Sequence, residues 1–363
     1  MRIATQPRRM IFQVLLPVIL PTMLAAATLL FFDLGVARAD EQANLNSGEQ
    51  RLRIVSFNLD HDFVLVKNRE LQFKNRLQHV IKTLKNIQPD IITLQEVSQS
   101  LIKGRRNSAQ TIAKALGMNY VSRFSDGLVP VFAEGLAVLS RFPILHAERK
   151  KLPHSAFVIF EQRFVQKLTI EHPQIGPVII YNTHLKHTEE NKSFVIAEGK
   201  RLAQTLAIAE YISGQKSCVP TFLFGDMNAN PTDPSVRIIN GSSIHSAGQY
   251  TDLFAQFFSG NPPITYPSTF ERLDYAYLVS GWLEDQVHLR QAAMIFTEPT
   301  AEGLPVSDHL GLLLELEFTK ADLNSENCAK QLHQLQARSR KWIHEMKKIP
   351  LPRRAAWAAD LLL

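Results

Sequence analysis

Residues 163–185 read RFVQKLTIEHPQIGPVIIYNTHL. Two strand-like runs, 163–171 and 177–182, flank His172-Pro173-Gln174-Ile175-Gly176. Proline and glycine inside that short spacer predict a turn, so the stretch reads as a β-hairpin. Downstream, apolar spacing predicts a long helix from about Phe194 to Ile212, and PTFLFG at 220–225 predicts a buried strand. Upstream, residues 51–59 alternate Leu52, Ile54, Val55 and Phe57 with polar residues, as a strand does. Residues 72–87 place Phe73, Leu77, Val80, Ile81, Leu84 and Ile87 at helical spacing, stopped by Pro89-Asp90. A short buried strand at 91–94 then ends at Glu96. Residues 108–116 read as a helix with Ser108 as N-cap and Gly117 just beyond, and 135–140 as a strand. Strands at 274–279 and 311–318 close the body. Strands and helices alternate, yet some neighbouring strands are hairpins. The expected fold class is therefore α/β, with two packed mixed sheets and helices outside, not one doubly wound parallel sheet.

With 363 residues and 45% hydrophobic content, the chain can build one large core or two domains. Its net charge of +6 is unevenly placed. Residues 1–39 carry +3 and residues 329–363 carry +6, so subtracting both ends leaves −3 for the middle. Bulk charge therefore gives no argument for a polyanion partner of the body. Arg2, Arg8 and Arg9 precede an apolar stretch from Ile11 to Phe32, and Ala37-Arg38-Ala39 offers a small-x-small cleavage site. Residues 1–39 thus read as a signal peptide, with a retained membrane anchor as the alternative, since the stretch is long enough to span a bilayer. Residues 40–50 read as a linker, 51–320 as the main domain and 321–363 as a basic tail. The expected location is exported, periplasmic or secreted. Cys218 and Cys328 are the two cysteines; an oxidising compartment permits a bridge, and two separate thiols are equally compatible.

Six short polar motifs stand beside apolar runs: Ser-Phe-Asn at Asn58, Leu-Gln-Glu at Glu96, Asn-Thr-His-Leu at Asn182 and His184, Gly-Asp-Met-Asn at Asp226 and Asn228, Arg-Leu-Asp-Tyr at Asp274, and Ser-Asp-His at Asp308 and His309. Each alone has a plainer reading, such as a solvated strand end or an Asp-x-Asn turn. Together they supply oxygens for a hard cation, two imidazoles and a base, as metal-assisted cleavage of a phosphate ester requires.

The set and its order resemble the endonuclease/exonuclease/phosphatase superfamily over about residues 51–318. That resemblance implies a four-layer α/β sandwich and a Mg²⁺-dependent phosphoesterase, with Mn²⁺ as a substitute. It makes Glu96 the principal metal ligand, Asn58 its neighbour, and Asp308 a metal contact or the neighbour of one. Asp226 would orient and deprotonate the attacking water, with Asn228 bonded to it or to a phosphate oxygen. Asp274 would hold His309, which would stabilise charge on the phosphoryl group or the leaving oxygen. His184 matches the deoxyribonuclease I and sphingomyelinase pattern, in which a Glu supports the equivalent imidazole; Glu134 stands in the matching place. Arg163 matches a phosphate-contacting arginine, and Asn182 would position His184 or contact phosphate. For Glu134 a strand-entry turn, and for Arg163 a surface salt bridge, are the competing readings.

A phosphodiester in nucleic acid is the favoured substrate, supported by His184, Glu134, Arg163 and the basic run Lys103-Gly104-Arg105-Arg106. A phospholipid head group is the alternative, and a non-catalytic binding module a further one. Membrane association through the N-terminal segment or the basic tail is compatible with the sequence. No obligate protein partner is inferred.

Overall fold

In the computed structural model the described residues are 50–60, 69–100, 106–124, 132–153, 162–188, 194–214, 219–240, 250–279 and 286–319, with six further helical, exposed positions between 330 and 344. The N-terminal targeting segment, the linker up to residue 49, both cysteines, residues 103–105 and Trp342 lie outside them.

Among the described residues the element order is β1 (Arg51–Asn58), α1 (Arg69–Ile87), β2 (Ile91–Ser100), β3 (Arg106–Asn107), α2 (Ser108–Leu116), β4 (Asn119–Phe124), β5 (Phe132–Ser140), β6 (Ile144–Lys151), β7 (Phe164–His172), β8 (Gly176–His184), α3 (Phe194–Ser213), β9 (Thr221–Asp226), α4 (Pro234–Ile239), β10 (Tyr250–Asp252), α5 (Leu253–Phe257), β11 (Asp274–Val279), β12 (Val287–Ile295) and β13 (Gly311–Phe318). The first sheet has the order β12-β13-β1-β2-β5-β4, with β3 attached to β2; the second has β10-β11-β9-β8-β7-β6. Both are mixed: β1 runs parallel to β2, and β8 parallel to β9, while their other neighbours are antiparallel. One core lies between the sheets, and a second joins the first sheet to α1 and α2. On the second sheet's outer face Tyr181 meets Tyr211 of α3 edge-on, 5.8 Å between ring centres. The result is the expected sandwich of two mixed sheets flanked by helices.

The central strands carry a polarity gradient that locates the site. Alternate residues read Leu52, Ile54, Ser56, Asn58 on β1; Ile91, Thr93, Gln95 on β2; Val178, Ile180, Asn182, His184 on β8; and Phe222, Phe224, Asp226 on β9, all of them buried. In a strand alternate residues share a face. Parallel pairing sets Asn58 beside Gln95 and His184 beside Asp226. Apolar side chains therefore fill most of the gap between the sheets, and polar ones collect at one end.

Two local expectations change. The strand thought to end at Glu96 runs on to Ser100. Its pairing with β5 slips between Leu94 and Val97, and Glu96 takes φ 51°. Such a bulge re-aims a side chain, and a left-handed non-glycine residue costs roughly 1–2 kcal/mol. The N-cap of α2 is Asn107, not Ser108: its Oδ1 accepts from Gln110 N at 3.1 Å, while Ser108 Oγ accepts from Ser98 N. Gly117 follows in the left-handed region, as expected.

Candidate active site

Two groups of acidic and imidazole side chains face each other at the polar end of the sandwich. Glu96, Glu134 and His184 form one, and Asp226, Asp274 and His309 the other; within each, the ligating atoms lie within 4.8 Å of one another. Asp226 joins the groups. Its Oδ2 lies 3.4 Å from His184 Nε2 and 3.6 Å from His309 Nε2. Asn58 Nδ2 donates to the same Oδ2 at 3.0 Å and to Glu96 Oε1 at 3.2 Å. Asn228 N caps the other oxygen, Oδ1, at 2.8 Å.

The backbone explains why Asp226 stands there. β9 passes so close to β8 that a Cβ on Gly225 would sit 2.2 Å from Thr183 O, so only glycine fits. Register then sets Asp226 between His184 on one side and Asp274 on the other. Asn228, at φ 50°, turns the chain and sends its Nδ2 to Leu185 O at 3.1 Å. Asp274 is fixed by its own N–H on Thr265 Oγ1 at 3.0 Å, and Tyr266 packs on the His309 ring at 4.9 Å.

The two imidazoles are held in different states. Asp274 Oδ2 lies 2.8 Å from His309 Nδ1. Burial works against the His309 cation, but Asp274 and Asp226 together outweigh it and hold its pKa well above the ordinary histidine value. His184 Nδ1 instead meets Arg163 Nη1 at 2.7 Å. Arginine has no acceptor, so Nδ1 must carry the lone pair and the proton sits on Nε2, toward Asp226. Glu134 Oε1 takes a bond from the same Arg163 nitrogen at 3.0 Å. Glu134 Oε1 also lies 3.3 Å from His184 Nδ1 itself, so Glu134 meets the imidazole both directly and through Arg163. Burial, reinforced by Asp274, raises the Asp226 carboxyl above the usual range, against the pull of His309 and His184.

Asn182, a candidate phosphate contact, is placed otherwise. It is fully buried; Oδ1 accepts from Gln95 Nε2 at 2.7 Å, and Nδ2 donates to Leu94 O and Ala137 O at 2.9 and 3.1 Å. Its carboxamide is spent pinning the two sheets together beneath the site, which leaves nothing for a phosphate. Asn58 also differs from expectation. Its Oδ1 accepts from Asp60 N at 3.1 Å, so it offers the cleft an N–H, and an oxygen for a cation would require the carboxamide to turn. Asp308 is exposed and outside both groups, with Oδ1 3.3 Å from Ser307 Oγ; its charge adds to the attraction on His309.

The donor set fits a hard divalent cation. It offers carboxylate oxygens, with Glu96 half-buried and open to the cleft, and no thiolate among the described residues.

Sequence reasoning missed a polar stripe on α3. Glu198 and Arg201 are fully buried and paired at 2.8 Å. Arg201 Nη1 donates to Lys186 O at 3.1 Å and Thr188 Oγ1 at 2.9 Å; Gln204 Oε1 accepts from Lys186 N at 3.0 Å; Glu198 Oε1 accepts from Ser235 N at 2.6 Å. The stripe grips the segment that follows His184, and Leu185 O in turn receives Asn228. A signal existed: these residues recur at i, i+3 and i+6, one face of a mostly apolar helix.

Residues 43–309 match the sequence profile of the Endonuclease/Exonuclease/phosphatase family. A curated relative, Protein angel homolog 2 of Danio rerio, is 22% identical over 217 residues, which is 54% of this chain and 37% of that protein. The chain thus spans under half the length of that relative. Among solved structures, the human Nocturnin catalytic domain with bound sulfate superposes with a TM-score of 0.56 at 21% identity, covering 75% of this chain and 96% of that one. D. rerio TDP2 complexed with a single-strand DNA product gives 0.57 at 18% identity, covering 74% and 100%. These structures share the fold. The profile match spans well over half of the chain and includes both groups of the site; the chain belongs to the endonuclease/exonuclease/phosphatase family.

Proposed function

We propose that this chain hydrolyses phosphodiester bonds in nucleic acid with the help of a divalent cation, Mg²⁺ first and Mn²⁺ as a substitute. The observation that carries the reading is the Asp226 carboxylate lying 3.4 and 3.6 Å from two imidazole Nε2 atoms in different states. Asp226, with its raised pKa, takes the proton from a water aimed at phosphorus. The P–O bond to the leaving oxygen breaks in line with the attack, and no covalent intermediate forms. His309, charged and fixed by Asp274, donates toward the oxygen on which charge builds. His184 donates through Nε2–H, in the tautomer Arg163 imposes. Glu96, with Asn58 anchoring it, would hold the cation, which when bound supplies Lewis-acid stabilisation of the phosphoryl oxygens. Most of the catalysis is then positioning and electrostatics.

Nucleic acid is favoured over phospholipid by the Arg163–Glu134–His184 cluster and by the single-strand DNA product held by TDP2, a protein of the same fold. The test is a screen of purified protein against single- and double-stranded DNA, RNA, sphingomyelin and phosphoinositides, with Mg²⁺, Mn²⁺ or EDTA. Nucleic acid should be cut, EDTA should abolish cutting, and Glu96→Gln should raise the metal concentration for half activity at least ~10-fold through loss of an anionic ligand. Cleavage of phospholipid alone, or full activity in EDTA, overturns the reading. Residues 1–39 are proposed to direct export with cleavage after Ala39, on their charged-then-apolar pattern. Intact mass of the extracted protein tests this, and a mass that retains residues 1–39 points to the anchor.

A further inference from the structure

Arg76 stands on α1, with its side chain only 12% exposed and its guanidinium 5.4 Å from the centre of the Phe73 ring. It serves two loops that lie far apart in sequence. Nη1 meets Asp60 Oδ2 at 2.8 Å and donates to Val306 O at 3.1 Å, while Nη2 donates to Asp60 O at 3.0 Å. Asp60 follows the end of β1, and Val306 leads into Ser307-Asp308-His309. From each acceptor a short chain of bonds runs to the site. Asp60 N donates to Asn58 Oδ1 at 3.1 Å, which turns Asn58 Nδ2 toward Glu96 Oε1 and Asp226 Oδ2. Ser307, next to Val306, donates through Oγ to Asn58 O at 2.8 Å and accepts from His309 N at 3.1 Å. The two chains therefore meet at Asn58, on its carboxamide from one side and on its backbone carbonyl from the other.

The local backbone needs such a hold. Asp60 has φ 50°, a left-handed conformation that a residue with a side chain adopts at a cost. An arginine fork is planar and bonds several acceptors in fixed directions, where an ammonium offers a single point. Without the fork Asp60 is free to leave that conformation, and Asn58 Oδ1 loses its donor. Glu96 then loses its anchor, and Asp226 one of its donors. Release of Val306 O loosens Ser307 and, with it, the backbone of His309. We propose that Arg76 is a positioning residue, whose one guanidinium holds the cation-binding side chain Glu96 and the His309 ring in register. The inference rests on the phosphodiester reading and goes beyond it, since Arg76 acts only through other residues.

The test uses the full chain, with turnover of bis(p-nitrophenyl) phosphate and, separately, Mn²⁺ binding read by EPR of the free ion. In Arg76→Gln, kcat should fall about 10- to 100-fold with KM little changed, because what is lost is alignment. The Mn²⁺ Kd should rise about 10-fold, the usual scale for losing the partner that orients a ligand. Asp60→Ala keeps the acceptors Asp60 O and Val306 O, so it should shift both quantities the same way by less. Arg76→Lys keeps the charge without the fork and should stay close to Arg76→Gln. His172→Gln, altered at the other end of the sandwich, is the comparator for lowered stability: its Tm should fall while kcat and the Mn²⁺ Kd hold. Wild-type kcat and Mn²⁺ Kd in Arg76→Gln overturn the proposal. A change in only one of the two overturns it as well, because one guanidinium would then not serve both loops. Full rescue by Arg76→Lys assigns the effect to charge and rejects the clamp. Should Arg76→Gln not fold, Asp60→Ala decides by the same two readings. If wild type binds Mn²⁺ but cleaves no diester, the phosphodiester reading falls by itself, and the Mn²⁺ Kd of Arg76→Gln still decides the clamp.

Discussion

Asp226 and Asn182 show what a single residue's surroundings decide. Both end apolar runs and both are buried, yet one faces two imidazoles and the other is spent between the sheets. Asp226→Asn and His309→Ala should each lower kcat at least ~10²-fold with the fold intact, the usual scale for a lost base or lost charge stabilisation. Near wild-type turnover of Asp226→Asn in steady-state kinetics would remove it from the role of base. Asp274→Asn carries a pH signature. The carboxylates raise the His309 pKa, so deleting one charge lowers it, and the imidazolium is lost at lower pH. The alkaline limb of the kcat/KM profile should move to lower pH; an unmoved limb shows that His309 is not the group that titrates. Asn182→Leu should cost about 2–4 kcal/mol in urea unfolding, because it strands Gln95 Nε2 and two backbone carbonyls. KM for a small diester should be nearly unchanged, whereas a phosphate contact would show first in KM.

At the scale of elements, what was legible in the sequence follows burial. β1, β2, β5, β7, β8, β9, β11 and β13 read as strands because their residues are mostly buried and apolar. The strands that escaped notice include β12, β4, β10 and β6, the four edges of the two sheets. An edge strand such as ILHAERKK at 144–151 is charged where it meets water, which hides the period-two signal and also protects the edge. The bulge at Glu96 was equally hidden, since nothing in Leu-Gln-Glu distinguishes a strand that ends from one that slips. The site residues were legible because polar side chains interrupt apolar runs; Asn182 was misassigned because that interruption looks the same for a structural amide. The stripe on α3 can be tested as an element. Arg201→Leu leaves Glu198 buried and unpaired, which should cost roughly 3–5 kcal/mol. The double variant Glu198→Gln/Arg201→Leu should recover part of that in chemical denaturation. A double variant as unstable as Arg201→Leu would mean that the bonds to Lys186 O and Thr188, not the unpaired charge, carry the cost.

The whole molecule is pinned at both ends of the sandwich, and the two pins respond differently to pH. At the catalytic end Asn182 and Gln95 cross between the sheets with groups that do not titrate near neutrality. At the other end His172, the last residue of β7, brings its Nε2 within 3.2 Å of Arg51 O at the start of β1, in the opposite sheet. Its Nδ1 accepts from Gln174 N at 3.2 Å and Ile175 N at 3.1 Å, closing the hairpin turn. Two donors on Nδ1 require a lone pair there, so the ring must be neutral with its proton on Nε2. Burial, only partly offset by Arg51 O, lowers the His172 pKa to about 4. In the unfolded chain the same group titrates near 6.5. Above that value neither state holds the extra proton and His172 gives no pH dependence. Between about 6.5 and 4 the unfolded chain is protonated and the folded one is not, so stability falls as pH falls; below 4 both are protonated and the slope vanishes. The loss should be on the order of 1–2 kcal/mol once partial solvent access to the ring is allowed for. Partly buried carboxylates such as Asp90, whose pKa burial raises, contribute with the opposite sign, so the useful quantity is the difference between wild type and His172→Gln. Glutamine keeps an acceptor and a donor without a titration. Urea unfolding at pH 7.5, 5.5 and 4.5 should show His172→Gln less stable than wild type at the first pH and nearly level with it at the last. A gap that stays constant across the three would mean that folding leaves the His172 pKa unshifted, which contradicts the two N–H donors aimed at its Nδ1.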